Sequence, residues 1–145
     1  DNITMSNLSQ YCRHSWIRHK EEKRVADEQI REFSIKTPSA EQIAANLSGG
    51  NQQKIVLSKT LLCQPEVIIL DEPTRGIDVG AKAEIHKMIS ALASQGKGII
   101  MISSEMPEIL GMSDRIVVIH EGRKKGELLR ENASQQAIME MMLAQ

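Results

Sequence analysis

The stretch from Val67 to Asp78, VIILDEPTRGID, decides the fold. It opens with a continuous aliphatic run that is rich in β-branched residues. Such a run predicts a strand buried on both faces, as in a parallel sheet, because a half-exposed strand would alternate apolar and polar residues. The run ends on two carboxylates, Asp71 and Glu72. Acidic residues at this end of a parallel strand lie where α/β proteins bind ligands, although an acidic exit turn of a buried strand would give the same pattern.

Upstream of this strand, a helix is predicted to open at 48–50 and to end before Pro65. Its core-facing residues are expected to be Ile55, Val56, Leu57, Leu61 and Leu62. Because a strand follows a helix here and the pattern repeats downstream, the chain predicts an α/β fold with a parallel sheet and flanking helices.

Downstream, apolar periodicity predicts a helix, a strand, a short helix, two strands and a final helix. These lie at 81–95, at 99–102, after a cap at Ser104, at 115–119, at 126–129, and from Asn132 or Ser134 onward. The final helix is expected to face the core with Ile138, Met139, Met142 and Leu143.

The first 46 residues are polar and form a predicted small helical lobe, so the chain divides into domains 1–46 and 47–145. A helix over 20–33 has a narrow apolar face formed by Val25, Ala26, Ile30 and Phe33. Its many charges predict a solvated face, with partner binding as the alternative. Pro38 interrupts the helical pattern, and Ser39 with Gln42 could cap a further short helix.

Composition restricts the class of protein. The 145 residues carry a formal net charge of −1, which argues against a nucleic-acid or anionic-membrane surface. Cys12 and Cys63 match no metal or disulfide pattern, as expected in a reducing cytosol. No apolar run approaches the ~18 residues of a membrane span. The chain begins with Asp1, so we expect a processed chain or a fragment.

The segment 47–54, LSGGNQQK, has a clear chemical use at a helix start. Gly49 and Gly50 let the backbone approach a ligand closely, and the first N–H groups of a helix have no internal partner. Together with the helix dipole they form a potential phosphate site. Ser48 adds a hydroxyl donor, and Gln52 or Gln53 could bond near a sugar or a water. A glycine-containing loop before an amphipathic helix is the alternative interpretation.

Three motifs together resemble the ATP-binding cassette (ABC) ATPases. LSGG followed by glutamines is similar to the signature motif, 67–72 to the Walker B strand, and 76–78 to the D-loop. The segments DEPTRGIDVGAK (71–82) and ISSEMPEILGMSDRI (102–116) resemble a narrower group within this family. They are similar to the second cassette of tandem ATPases that energise importers of ribose, galactose, arabinose or autoinducer. The resemblance is strongest from Lys36 onwards.

The resemblance implies a P-loop NTPase-like fold, ATP and Mg²⁺ as cofactors, and a site shared between two cassettes. The signature would touch ATP held by the other cassette through Ser48, Gly49, Gly50 and Gln52. Asp71 would hold Mg²⁺ through water. Glu72 would be catalytic and would orient or deprotonate the attacking water.

The D-loop residues Gly76 and Asp78 would lie at the seam between the cassettes. Membrane permease subunits would be further partners, and the lobe before Leu47 would contact them. A periplasmic sugar-binding protein would be an indirect partner. No nucleic acid is expected. The location implied is cytoplasmic, peripheral on the inner face of the cell membrane.

Two departures from the family pattern matter. The phosphate-cradling GxxxxGK[ST] loop (Walker A) and the Q-loop are not found, so we expect a C-terminal piece of a cassette that is inactive by itself. At the switch position Ser104 replaces the usual histidine, so the parent half-site is expected to be impaired. The histidines at 14, 19, 86 and 120 are interpreted as surface or helix residues.

Two other functions stay open. One is a soluble, non-transport ABC ATPase acting on DNA or ribosomes. The charge balance and the segment RGID (75–78) argue against this function. The other is a non-catalytic regulatory or assembly fragment, which the missing Walker A loop would suit.

Overall fold

The computed structural model describes residues 2–13 and 16–143. The chain forms two compact units, Asp1–Ile68 with Thr74–Ile99, and Ile69–Pro73 with Ile100–Gln145. His14 lies outside the described residues. The predicted division at residue 46 stays a prediction.

The first unit is mainly helical. In chain order its elements are a 3₁₀ helix Met5–Tyr11, the antiparallel pair β1 (Cys12–Arg13) and β2 (Trp16–Ile17), α1 (His19–Glu32), a 3₁₀ turn Ala44–Asn46, α2 (Gly49–Leu61) and α3 (Val79–Ser94). These bounds confirm the helices predicted over 20–33, from 48–50 and over 81–95.

The core of the first unit gathers around three buried residues, Ile3, Phe33 and Ile35. Half-buried aliphatic side chains of α1, α2 and α3 pack against them: Ile30, Ile55, Leu61, Leu62 and Met88, together with Leu47. Most of the predicted face of α2 is confirmed. Val56 is the exception, because it is 54% exposed on the far side of the helix.

The short helix predicted at Ser39 is wrong. Ser39 accepts the N–H of Glu41 on its hydroxyl, at 3.3 Å, and the N–H of Gln42 on its carbonyl, also at 3.3 Å. This local hydroxyl bond to the residue two positions on closes a turn and competes with helix capping. The chain then makes only a single 3₁₀ turn.

Strands β3 (Val67–Asp71) and β4 (Gly98–Ile102) pair in parallel, and the unit boundary falls within both. In the first unit Gly98 N–H donates to Glu66 O at 2.9 Å, and in the second unit Glu72 N–H donates to Ile102 O at 2.8 Å. Both strands were predicted. Their expected burial on both faces is wrong: Ile68 is 1% exposed, but Ile69 is 66% exposed. Alternate side chains point to opposite faces, and the described residues cover only one.

The second unit continues with α4 (Met106–Met112), the antiparallel hairpin β5 (Arg115–His120) and β6 (Arg123–Leu129), a 3₁₀ turn Arg130–Asn132 and α5 (Gln135–Leu143). The hairpin turns at Glu121 and Gly122, both at positive φ. Strand β6 therefore begins three residues before the predicted range.

Two details of the second unit differ from prediction. Its core consists of Ile116, Val118 and Ile138 with Met141 packed against them, whereas Met139, Met142 and Leu143 are exposed. Met141 lies one turn from Ile138, so the apolar face of α5 is rotated from the predicted one. Ser134 is confirmed as the cap of α5 and accepts the Ala137 N–H on its hydroxyl at 3.1 Å.

The predicted cap at Ser104 is also wrong, because Glu105 occupies the N-cap position of α4. The three remaining histidines lie on α1, on α3 and at the end of β5. Within the described residues, no helix is long and apolar enough to cross a membrane.

Candidate functional site

The signature segment forms the first turn of α2. Ser48 occupies the N-cap position, and its carbonyl accepts the first helical hydrogen bond from Gln52 N–H at 3.0 Å. Its hydroxyl makes no capping bond to the backbone. Ser48 and Gly49 are exposed, so the Ser48 hydroxyl lies at the surface beside the first N–H groups of the helix, which have no acceptor within the helix.

Gln52, the fourth predicted signature residue, turns back along its own helix. Its Nε2 donates to the carbonyl of Leu47 at 2.8 Å, just before the helix start. The side chain therefore stays beside the signature turn, and its contact with a nucleotide stays a prediction.

The two signature glycines are in close contact with the segment 76–81. A Cβ added at Gly50, which is buried, would lie 2.6 Å from the Cβ of Ala81 in α3. A Cβ at Gly49 would lie 3.1 Å from Ile77 Cγ2 and 3.5 Å from Gly76 O. A Cβ contact under about 3 Å would force α2 or α3 to shift, so the close packing of the two helices favours glycine at position 50.

The predicted D-loop residues lie beside the signature within the first unit. Gly76 has a φ of 74°, which favours glycine. Asp78 caps α3, and its Oδ1 accepts the Ala81 N–H at 2.9 Å. The structure thus joins the signature turn, the D-loop and the start of α3.

Lys54 is a residue to which sequence reasoning gave no role. Its side chain is buried, and its Nζ bonds Glu84 Oε2 on α3 at 2.7 Å and the carbonyl of Ser34 at 3.0 Å. The hydrogen bond and charge of Lys54 lower the pKa of Glu84 from its ordinary value. The available signal was its spacing: Gly50, Lys54 and Ser58 recur at helical period on the buried face of α2.

The second unit carries the two predicted Walker B carboxylates. Asp71 ends β3 and is exposed, and Glu72 follows at a φ of 48°, in the left-handed region that non-glycine residues seldom adopt. The Oε1 of Glu72 accepts the backbone N–H of Ser104 at 2.9 Å. The structure therefore brings the predicted catalytic residue to the predicted switch position. This main-chain bond does not depend on the side chain at position 104.

The donor chemistry at Asp71 suits a hydrated magnesium ion. Within the described residues, no group of three or more His, Cys, Asp or Glu could enclose a metal. Mg²⁺ needs no such cage, since it keeps several waters and binds one or two carboxylates together with substrate phosphates. An exposed carboxylate at a strand end fits that role.

Solved structures define the class of fold. A nucleotide-free ATP-binding cassette from an ABC transporter matches with a TM-score of 0.78 at 18% identity, covering 99% of this chain and 62% of that one. A dimeric cassette, MJ0796, in a post-hydrolysis state with ADP and Pi matches with a TM-score of 0.68 at 21% identity, over 81% of this chain and 51% of that one. The predicted α/β cassette fold is confirmed.

The sequence family follows. The ABC transporter family model matches residues 2–75, and the chain belongs to this family. The ribose import ATP-binding protein RbsA of Clostridium perfringens (strain 13 / Type A) is 52% identical over 142 residues. The match covers 97% of this chain and 28% of that relative, so the chain spans little more than a quarter of its length.

Proposed function

We propose that this chain is part of the ATP-binding subunit of a sugar importer and supplies the signature, Walker B strand and D-loop of a cassette. The observation that carries the proposal is the signature turn. An exposed serine hydroxyl lies at the start of α2, where the first N–H groups have no acceptor within the helix, and the two glycines that follow pack on the D-loop and α3. The likeness to a ribose import protein supports carbohydrate as the transported class.

The residues of this chain would act mainly by positioning and charge. Ser48, Gly49 and Gly50 donate hydrogen bonds to the terminal phosphate of ATP held by another cassette half. In the second unit Glu72 orients or deprotonates the attacking water of its own, weaker ATP site, and the Ser104 N–H holds its carboxylate in orientation. Mg²⁺, held by Asp71 through water, would neutralise phosphate charge. Phosphoryl transfer depends chiefly on such positioning.

The parent protein would lie on the cytoplasmic, inner face of the cell membrane, with permease subunits as its direct partners. A periplasmic sugar-binding protein would act through the permease. Gly76 and Asp78 would lie at the seam with the other cassette.

A substitution at the signature tests this assignment. In the intact ATP-binding subunit reconstituted with its permease, Ser48→Ala should lower steady-state ATPase activity about tenfold or more, the loss expected for a hydrogen bond to a charged group. Ser90→Ala, an exposed serine on α3, is the matched control and should have no effect. Equal turnover in both variants would contradict the role of Ser48.

The isolated chain should not hydrolyse ATP or bind it tightly, since it has no Walker A loop to supply the backbone donors and the lysine. Calorimetric titration of the chain with Mg-ATP measures this directly. Low-micromolar affinity would be incompatible with the proposed division of the site.

A further inference from the structure

Asn51 connects the signature serine to the chain segment before it. Its Oδ1 accepts the backbone N–H of Lys36 at 2.8 Å, and its Nδ2 donates to Ser48 Oγ, also at 2.8 Å. A backbone N–H can only donate, so the bond from Lys36 fixes which end of the amide is oxygen. The NH₂ group of Asn51 must therefore face Ser48.

This orientation determines the direction of the Ser48 hydroxyl proton. A serine hydroxyl has one proton to donate and two lone pairs that accept. An amide NH₂ only donates, so Ser48 uses a lone pair toward Asn51 and its proton must point elsewhere. Since Ser48 is exposed and makes no capping bond, that direction is outward.

The segment that holds Asn51 is itself anchored. Ser34, two residues before Lys36, accepts a hydrogen bond from the buried Lys54 at 3.0 Å. Two bonds from α2 thus fix the backbone of residues 34–36, and the Lys36 N–H is held in place for Asn51.

We propose that Asn51 is a positioning residue that sets the Ser48 hydroxyl as an outward hydrogen-bond donor. The inference rests on the proposed function, in which Ser48 meets the terminal phosphate of ATP. Phosphate oxygens accept hydrogen bonds, so a hydroxyl already oriented as a donor needs no reorganisation when the phosphate arrives. Asn51 itself need not touch the nucleotide.

The alternative is that Asn51 has a purely structural role and only ties α2 to Lys36. Asn51→Asp distinguishes this structural role from the positioning role. The carboxylate still accepts the Lys36 N–H but has no proton to give, so the Ser48 hydroxyl turns inward to donate to it. The bond from Lys36 is kept, while the hydrogen bond between Ser48 and residue 51 reverses its direction.

The experiment is a double-mutant cycle in the intact ATP-binding subunit reconstituted with its permease. ATPase kcat/KM for Mg-ATP is measured for Ser48→Ala, Asn51→Asp and the double variant. Asn51→Asp should lower kcat/KM about tenfold or more. In the Ser48→Ala background it should change kcat/KM less than about twofold, because the hydroxyl it misdirects is absent.

Two further variants exclude charge and misfolding as causes. Asn51→Ala removes both hydrogen bonds without adding a charge, and it too should lower kcat/KM only when Ser48 is present. Asn46→Asp adds the same charge at an exposed position nearby and should leave kcat/KM unchanged. Thermal unfolding midpoints check that each variant is folded. If Asn51→Asp does not fold, the comparison is made with Asn51→Ala instead.

The outcomes separate the two proposals. If Ser48→Ala leaves kcat/KM unchanged, the proposed role of Ser48 fails and the positioning role fails with it. If Ser48→Ala is damaging but the Asn51 variants are harmless, or if they are equally damaging in both backgrounds, only the positioning role is overturned.

Discussion

The contact between Gly50 and Ala81 permits a quantitative prediction for Gly50→Ala. The new Cβ would lie 2.6 Å from the Ala81 Cβ, and both atoms are attached directly to helix backbone. Overpacking of this kind costs about 1–3 kcal/mol of the free energy of unfolding. Replacing glycine by alanine within a helix returns up to about 1 kcal/mol. We therefore expect a net loss of about 0–3 kcal/mol.

Gly111→Ala is the matched control for helix propensity. Gly111 also lies in a helix, α4, and an added Cβ there would meet nothing within 4 Å. This substitution should stabilise the chain by about 0.5–1 kcal/mol. The difference between the two variants, about 1–3 kcal/mol, then reports the packing contact alone.

A compensating change sharpens the test. Ala81→Gly in the Gly50→Ala background removes the opposing methyl group, so the two substitutions should show a favourable coupling energy of about 1–3 kcal/mol. Urea unfolding followed by circular dichroism, with unchanged m-values, provides the measurement. Equal effects of Gly50→Ala and Gly111→Ala, or strict additivity with Ala81→Gly, would refute the close-packing argument.

Two further predictions concern carboxylates. Glu72→Gln should change the free energy of unfolding by less than about 1 kcal/mol, because the amide oxygen can still accept the Ser104 N–H; a loss of several kcal/mol in urea would contradict this. Lys54 lowers the pKa of Glu84, so this pair stabilises the fold fully above the ordinary pKa of 4.5, and its contribution is lost as the pH falls through the lower, folded-state pKa. Glu84→Gln should therefore weaken the dependence of stability on pH below 4.5 and leave the slope near pH 7 unchanged, as measured by thermal unfolding across that range.

Local patterns in the sequence sufficed for most elements but not for the contacts between them. The run before Asp71 predicted β3, and the spacing of aliphatic residues predicted α2 and α3. The bond from Ser104 to Glu72 was not visible, because it depends on the register of β4 against β3. No periodicity within one segment encodes such a register.

The contacts of Lys54 in α2 also could not be predicted from local sequence patterns. A lysine within a polar helix start reads as exposed, since lysine is rarely buried without a partner. Its partners, Ser34 and Glu84, lie 20 and 30 residues away in the chain. The rotated face of α5 has a simpler cause. Met139, Met141 and Met142 are equally apolar, so only packing against Ile116 and Val118 of β5 decides which of them is buried.

The two units of this chain are predicted to serve different ATP sites of the parent transporter. Ser104 lacks the imidazole that the family uses at this position, so the site containing Glu72 should contribute little turnover, whereas the intact signature should complete the competent site with the other cassette. Gly50→Asp is unsuitable for testing this asymmetry, because any side chain at position 50 meets Ala81 and a loss of activity could come from misfolding.

Ser48→Asp provides a cleaner test of this asymmetry. Aspartate is a favoured N-cap residue, so the fold should tolerate it, while its anion would oppose the terminal phosphate. In the reconstituted transporter Ser48→Asp should abolish ATP turnover and uptake. We predict that the other cassette supplies the catalytic carboxylate of the competent site, so Glu72→Gln should retain substantial turnover. Steady-state ATPase and sugar-uptake assays measure both. If Glu72→Gln is as damaging as Ser48→Asp, both sites hydrolyse ATP and the asymmetric assignment is wrong.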